Sequence, residues 1–389
     1  MKNILFLACV LFSLNVASQD SLMNKFNEIN NQLYHKKPIN YLKGLDILKH
    51  NEPVFVGSQL ESFYYQIEAG FYTRIGKPQK AKAYYFKQDD QQKKVNLERQ
   101  NVNNEIKKQI LNKSKSTRVV MINENHVFPE HRVFTTSLLE GLYNNGFRYL
   151  ALEDLSAKHV AELNSRNYPK VKDGFYINEI MYANMVRRAR AIGFKMVAYD
   201  DNMAWDIAKR DSIGASELNK VFIKDPKAKV LVHCGFGHID KTAKVLAYFI
   251  SENIGIDPLI INQVNYTNDI QRAIYKPVGI TPITKDAGDN YQFPADIQVL
   301  HPNYTSIDNR PDYLFKNGRI KKVIDLSNII RKGAAIIEIR VLGEDELSMP
   351  LDRILIDEST KKISVSSLPK GTEAVIRDKN GKVIKRFNI

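Results

Sequence analysis

Between residues 117 and 264 the chain alternates short apolar runs with longer amphipathic stretches, and that rhythm limits the possible folds more than any other feature. The runs are "RVVMIN", "FRYLALE", "FKMVAYD", "AKVLVHC" and "PLIINQ". Between them lie "HRVFTTSLLEGLYNN", "YINEIMYANMVRRARAIG" and "DKTAKVLAYFISENI", whose apolar residues recur at helical spacing. Near-continuous apolar strands suit a sheet buried on both faces, and parallel neighbours need a helical crossover between them. The expected fold is therefore α/β, a mainly parallel sheet flanked by helices.

Four of these runs end in ionisable groups: Glu124 with His126, Glu153 with Asp154, Asp200 with Asp201, and His233. Open parallel sheets bind ligands beyond the carboxyl ends of their strands, so this edge is the place to look for a site. A single residue of this kind is an ordinary loop or helix-capping residue, whereas four strand ends with the same chemistry point to a site. The link after the first run is the densest, with Glu124, His126, Glu130, His131 and Arg132 between strand and helix. The candidate catalytic residues are Glu124, His126, Glu153 and His238. His131, Asp200, Arg210 and His233 are candidates for substrate contact, Arg210 as a guanidinium that anchors a carboxylate or an oxyanion.

The flanking regions read differently. Residues 1–19 carry Lys2, an apolar run from Ile4 to Leu14, and the small residues Ala17 and Ser18. That is the pattern of a secretory signal peptide, too short to persist as a membrane span, so an exported, periplasmic or secreted protein is expected. Cys9 lies inside the run, whereas a lipid-modified cysteine should end it, so no lipoprotein is expected. Residues 20–112 read as helical, with a helix–turn–helix broken at Gly76 to Pro78 and a polar stretch after it that suits a long solvated helix. An α/β domain over 113–318 follows, in which 266–317 is rich in Pro, Asp, Asn and Tyr and is expected to be irregular at the sheet edge. Residues 319–389 give short strands and an Asn380-Gly381 hairpin turn, a small β domain.

Composition removes several classes of function. No later segment is apolar enough to be transmembrane. Beyond Cys9 the only cysteine is Cys234, so a disulfide scaffold is excluded. The net charge is +14, but the basic residues are spread along the chain without a block interleaved with aromatics. Nucleic acid is therefore not an expected partner; anionic envelope surfaces are the better match for that charge.

Motifs narrow the chemistry further. "GFGHIDKT" approaches a phosphate-binding loop but has Asp240 where glycine is needed, and an acidic side chain there repels a phosphate. Its glycines are better read as letting the chain turn and bring His238 back to the strand ends. No Gly-x-Ser-x-Gly elbow occurs, and Cys234 reads as a small core residue. Histidines and carboxylates remain. They serve either a general base acting on water or ligation of a divalent metal.

"NENHVFPEHRVFTTSLLEGLYNNGFRYLALE", then "VAYD", then "VLVHCGFGHIDK", resembles the erythromycin esterase/ChaN-like superfamily, and more distantly the TraB/Tiki group. The resemblance runs from Arg118 to Lys241, and the Glu-x-His spacing is the ChaN-like one. Members of that superfamily open macrolide lactones, bind haem, or cleave proteins with a metal. The resemblance implies that Glu124 and His126 activate water, with Glu153 as the second-strand Glu and His238 as the late His. The expected function is hydrolysis of an ester or amide of a small molecule. The alternatives are a non-catalytic haem- or iron-binding protein of the cell envelope, and a structural envelope protein whose site has decayed.

Overall fold

Each of the five apolar runs forms a strand of one sheet in the computed structural model, which describes residues 16–34, 38–87, 102–103, 105–200, 206–264, 278–280, 294–301, 304–329 and 332–389. Contacts divide the chain into two units, Met1–Asp90 with Leu314–Ile389, and Gln91–Tyr313. The apolar run of the expected signal peptide, within residues 1–15, lies outside the described residues.

The first unit begins with helices α1 (Val16–Tyr34), α2 (Tyr41–Phe55), α3 (Glu61–Arg74) and α4 (Pro78–Phe86). The last two form the expected helical hairpin. Pro78 opens α4, where its missing N–H costs nothing, and Tyr72 stacks on Tyr84 at 5.1 Å. Gly76 in the turn has φ +70°, and a Cβ there would lie 2.4 Å from the Arg353 carbonyl, so this position needs glycine twice over.

The second unit holds the sheet. Most of the polar stretch expected to be one long helix, residues 88–101, lies outside the described residues, and its end forms strand β1 (Val102–Asn103) and helix α5 (Ile106–Ser114) instead. There follow β2 (Val119–Glu124), α6 (Pro129–Asn144), β3 (Tyr149–Leu152), α7 (Val160–Arg166), α8 (Ile180–Ile192), β4 (Lys195–Ala198), α9 (Ile207–Lys224), β5 (Val230–Gly235), the short α10 (Leu246–Phe249) and β6 (Leu259–Asn262). The expected helix from Asp240 onward is cut back to α10 and a π turn over Ile250–Ile254. Asp240 instead accepts hydrogen bonds from the Thr242 N–H and hydroxyl, closing a turn.

The order across the sheet is β1-β7-β8-β6-β2-β5-β3-β4, with β7 (Val278–Ile280) and β8 (Ile297–Leu300) supplied by the segment expected to be irregular. β8 is apolar enough to be buried throughout and pairs parallel with β6, so the segment extends the sheet rather than merely covering it. Six adjacent strands, from β8 to β4, are parallel, and β7 and β1 close the edge antiparallel. Two further short strands, β9 (Ser306–Ile307) and β10 (Arg310–Pro311), form a separate ribbon.

Strand alternation assigns the two faces. Val120, Ile122, Leu150, Leu152 and Leu231 pack with Phe134, Leu138, Tyr182 and Val186 of α6 and α8. Val119, Met121, Ala151, Val230, Val232 and Cys234 pack with Ala215, Leu218, Phe222 and Leu246 of α9 and α10. Thus the chain leaves β2 toward one face and the adjacent β5 toward the other, the arrangement that opens a crevice at the carboxyl edge.

The chain then returns to the first unit with β11 (Ile320–Asp325), β12 (Ala335–Val341), β13 (Asp352–Ile356), β14 (Lys362–Ser367), β15 (Thr372–Asp378) and β16 (Val383–Asn388). The four-stranded sheet β13-β12-β15-β16 is antiparallel, and β11 pairs with β14. Ile336 and Leu355 join the helical core around Phe55, Tyr64 and Phe71, and Leu355 N–H donates to the Ile75 carbonyl at 2.9 Å. The N-terminal helices and the C-terminal strands therefore share one core although they lie far apart in sequence, and burial of both apolar faces is the driving term.

Candidate active site

Glu124 is the last residue of β2 and shares the α6-facing side of the sheet with Val120 and Ile122. Its carboxylate is 1% exposed and fully occupied. Arg132 of α6 donates from Nε to Oε2 at 2.6 Å and from Nη2 to Oε1 at 2.5 Å, a bidentate pair. His126 Nδ1 lies 2.8 Å from Oε1 and His233 Nε2 lies 2.7 Å from Oε2. Burial alone would raise the pKa of Glu124, but Arg132 and the imidazoles outweigh it and hold the carboxyl well below the usual range. Arg132 is anchored in turn by Glu179, which accepts from Nη1 at 2.7 Å and caps α8 by accepting the Tyr182 N–H at 2.9 Å.

With Glu124 ionised, His126 carries its proton on Nδ1, and Nε2 is left as the basic nitrogen. The imidazole is 21% exposed, stacked on Tyr176 at 4.0 Å and met edge-on by Phe236 at 5.2 Å. A Cβ built on Gly235 would lie 2.5 Å from His126 Cε1 and Nε2 and 3.0 Å from Glu153 Oε2. The ring and the second carboxylate therefore converge on one backbone position that has no room for a side chain.

Glu153 follows β3 on the α9-facing side. It accepts from Arg210 Nη2 at 3.0 Å and from the Gly235 N–H, and His238 Nε2 lies 3.8 Å from its Oε1. Burial opposes its charge, but His238, His126 and Arg210 hold its pKa down to about 2. Arg210 of α9 also makes a two-pronged pair with Asp200, with Nε to Oδ1 at 2.6 Å. Burial, with Glu153 beside it, pushes Asp200 up to about 6 despite Arg210. His238 Nδ1 is 2.6 Å from Oδ2 of Asp211, which also accepts the Leu246 N–H at 2.9 Å. Burial disfavours the His238 charge, but Asp211 and Glu153 more than compensate, and its pKa is raised.

Two bends in the backbone shape this edge. Phe236 has φ +35° and Asp154 φ +58°, the left-handed region that a bulky aromatic rarely enters. Gly235 itself has φ −82°, so the expectation that glycine supplies the turn is corrected. Phe236 takes the strained conformation, and Gly235 provides space for His126. Asp154 accepts the Phe175 and Tyr176 N–H groups, the latter at 3.1 Å, and so fixes the ring on which His126 stacks.

The structure brings Glu124, His126, Glu153 and His238 together at the carboxyl edge. Asp200 and Arg210 stand behind Glu153, and the carboxylates that Arg210 holds are the chain's own. His233 is fully buried and braces Glu124, with Thr135 Oγ1 3.3 Å from its Nδ1. His131 is fully buried too, accepts the Asn125 N–H at 3.0 Å and lies against Phe128. These two imidazoles therefore lie behind the surface a substrate would touch. Cys234 is buried on the α9 side, and burial pushes its thiol far above the usual value. Arg132, Glu179, Tyr176 and Asp211 were not among the expected site residues. Asp211 left a signal: it occupies the buried stripe of α9 with Gly214, Ala215, Leu218 and Phe222, where a carboxylate needs a partner. Among the described residues no three His, Cys, Asp or Glu side chains are grouped to hold a metal ion. No described helix is long and apolar enough to cross a membrane.

No family model matches the chain, and the curated proteins give no match. Among solved structures, the type III effector HopBA1 aligns over 52% of this chain and 97% of its own, at 12% identity and a TM-score of 0.37. The haem-binding ChaN of Campylobacter jejuni aligns over 52% of this chain and 96% of its own, at 11% identity and a TM-score of 0.31. The RRSP effector domain of a Vibrio vulnificus MARTX toxin aligns over 50% and 40%, at 16% identity and a TM-score of 0.27. Likenesses this slight carry no argument about chemistry.

Proposed function

We propose that the protein hydrolyses a neutral ester or amide of a small molecule, with His126 as the general base. The observation that carries this reading is the 2.8 Å contact between His126 Nδ1 and a Glu124 already saturated by Arg132 and His233. It fixes the ring and its tautomer, and leaves Nε2 to take a proton from water. Glu153, held ionised nearby, stabilises the imidazolium that forms when His126 takes that proton.

The charge around the cleft favours a neutral substrate. Among the described residues, Glu124 and Glu179 share Arg132, Glu153 and Asp200 share Arg210, and Asp211 is held by His238, so both guanidiniums are paired within the protein. A phosphate or carboxylate would meet carboxylates whose cations are already engaged. The superfamily resemblance of the Glu-x-His segment agrees with this reading, and an exported setting, expected from the pattern of residues 1–19, belongs to the same proposal. A haem or a divalent metal could take the outward Nε2 of His126, but a further ligand from Glu124, Glu153 or Asp211 would have to leave its internal pair.

The test is turnover of a panel of carboxylic esters and amides by the purified protein, with chelator and with hemin in parallel. Hydrolysis that persists in chelator is the expected result. Loss restored by a divalent ion would replace the imidazole base with a metal-bound water. A hemin spectrum that changes on binding, with no ester or amide cleaved, would replace hydrolysis with haem binding.

A further inference from the structure

The cleft holds a second carboxylate–imidazole pair that the general base does not need. His238 follows the left-handed Phe236, and its Nδ1 is held by Asp211 at 2.6 Å, as Nδ1 of His126 is held by Glu124. Its Nε2 lies 3.8 Å from Glu153 Oε1, beyond hydrogen-bond distance but close enough for attraction. The imidazole is 15% exposed, so it too reaches the cleft surface. The two pairs approach Glu153 from different elements, His126 from the link after β2 and His238 from the turn after β5.

We propose that His238 is the general acid that protonates the leaving group, with Asp211 as its positioning residue, and that the substrates are esters of alkyl alcohols. This rests on the hydrolytic reading of the same site. His126 Nε2 takes a proton from water, and the water oxygen bonds to the carbonyl carbon as the C=O pair moves to oxygen. The intermediate collapses by re-forming the carbonyl and breaking the carbon–alkoxy bond. The departing oxygen keeps that electron pair and takes the Nε2 proton of His238. The products are a carboxylic acid and an alcohol, and solvent restores the proton to His238 and removes that on His126.

The chemistry of the leaving group makes the role specific. An alkoxide is too basic to depart at neutral pH without a proton, whereas a nitrophenolate leaves without help. Burial works against the His238 charge, but the carboxylates that face it favour the charged form and outweigh burial and Arg210 of α9: Asp211 from α9 and Glu153 from the end of β3, with Asp200 beyond β4. The Leu246 N–H on the same Asp211 oxygen holds that carboxylate in place.

The test compares ethyl butyrate with 4-nitrophenyl butyrate, which share an acyl group. Positioned acid catalysis is worth roughly a hundred- to ten-thousand-fold. His238→Gln should therefore lose at least about tenfold more kcat on the ethyl ester than on the nitrophenyl ester. Asp211→Asn should show the same selective loss and move the alkaline limb of the ethyl-ester profile to lower pH. The ratio of the two losses does not depend on the fraction of protein folded, so a destabilised variant still reports. His126→Ala should depress both esters alike. Equal losses on both esters in His238→Gln, or wild-type protein that cleaves only the nitrophenyl ester, would overturn the acid role and leave the base intact. Undiminished turnover of both esters by His126→Ala would overturn the hydrolytic reading itself.

Discussion

Glu338 on β12 and Glu124 on β2 are both buried carboxylates held below their usual pKa by arginine, yet they suit different tasks. Glu338 accepts from Arg353 Nε at 2.9 Å and Arg340 Nη1 at 3.0 Å, with Arg377 at 3.5 Å. Every partner is a guanidinium, a charge that does not change in the range where proteins work. Arg353 also lies over the Tyr41 ring and Arg340 bonds the Ser348 carbonyl, so that cluster ties backbone and helix together. Glu124 has one arginine and two imidazoles, and one of those imidazoles reaches the cleft. A buried carboxylate is thus a poor marker of a site by itself. What its partners can do with a proton, and whether a substrate can reach them, separates a brace from a candidate active centre.

The largest expected difference between the clusters comes from removing an arginine. Arg132→Ala leaves Glu124 and Glu179 buried without their shared cation and should cost about 3–5 kcal/mol in urea unfolding. Arg353→Ala should cost less, about 1–3 kcal/mol, because Arg340 still satisfies Glu338. A reversed order would break the comparison.

Acid should then act on both clusters. Glu338 and Glu153 each have a folded pKa of about 2 against an ordinary 4.5, so their stabilisation is present above 4.5 and is lost as pH falls toward 2. For Glu338 this is on the order of 3 kcal/mol. The α/β unit should also weaken on the alkaline side. His238 has a raised pKa, so its contribution is complete below 6.5 and fades as pH rises through the folded value. Amide protection factors of β5 and β12, measured from pH 2 to 9, would show the shared acid window and whether β5 carries this second one.

A smaller and more local effect is expected at Gly235. Gly235→Ala places a methyl where His126 lies, and the ring must move. Turnover should fall by roughly a hundredfold, since small misplacements of catalytic groups cost that much. Unchanged turnover would show that the ring position is not critical. The smallest effect is set by Lys220→Ala, which removes an exposed pair with Glu217 and should change stability by no more than about 0.5 kcal/mol.

The sheet was legible because buried parallel strands must be apolar on both faces, and β2, β5 and β6 are. The site was legible where chemistry falls at strand ends, as with Glu124, His126 and Glu153. It was less legible where partners come from helices. Asp211 and Glu179 sit among helix residues whose meaning depends on which face is covered, and the sequence does not show that directly. Glu338 was hidden for a related reason: within "AAIIEIRVLGE" it reads as the polar face of a half-exposed strand, whereas β12 is covered on both sides. The shared core of the N-terminal helices and C-terminal strands rests on contacts such as Ile336 against the helices, which no local pattern reveals.

The central claim, that His126 is the base, is tested most directly by chemical rescue. In His126→Gly, the loss of the ring should lower turnover by about a hundred- to ten-thousand-fold while the urea midpoint stays near that of the wild type. Added imidazole should restore part of the rate, saturating with concentration and rising with the fraction of imidazole that is unprotonated. Turnover in His126→Gly equal to that of the wild type would contradict the claim.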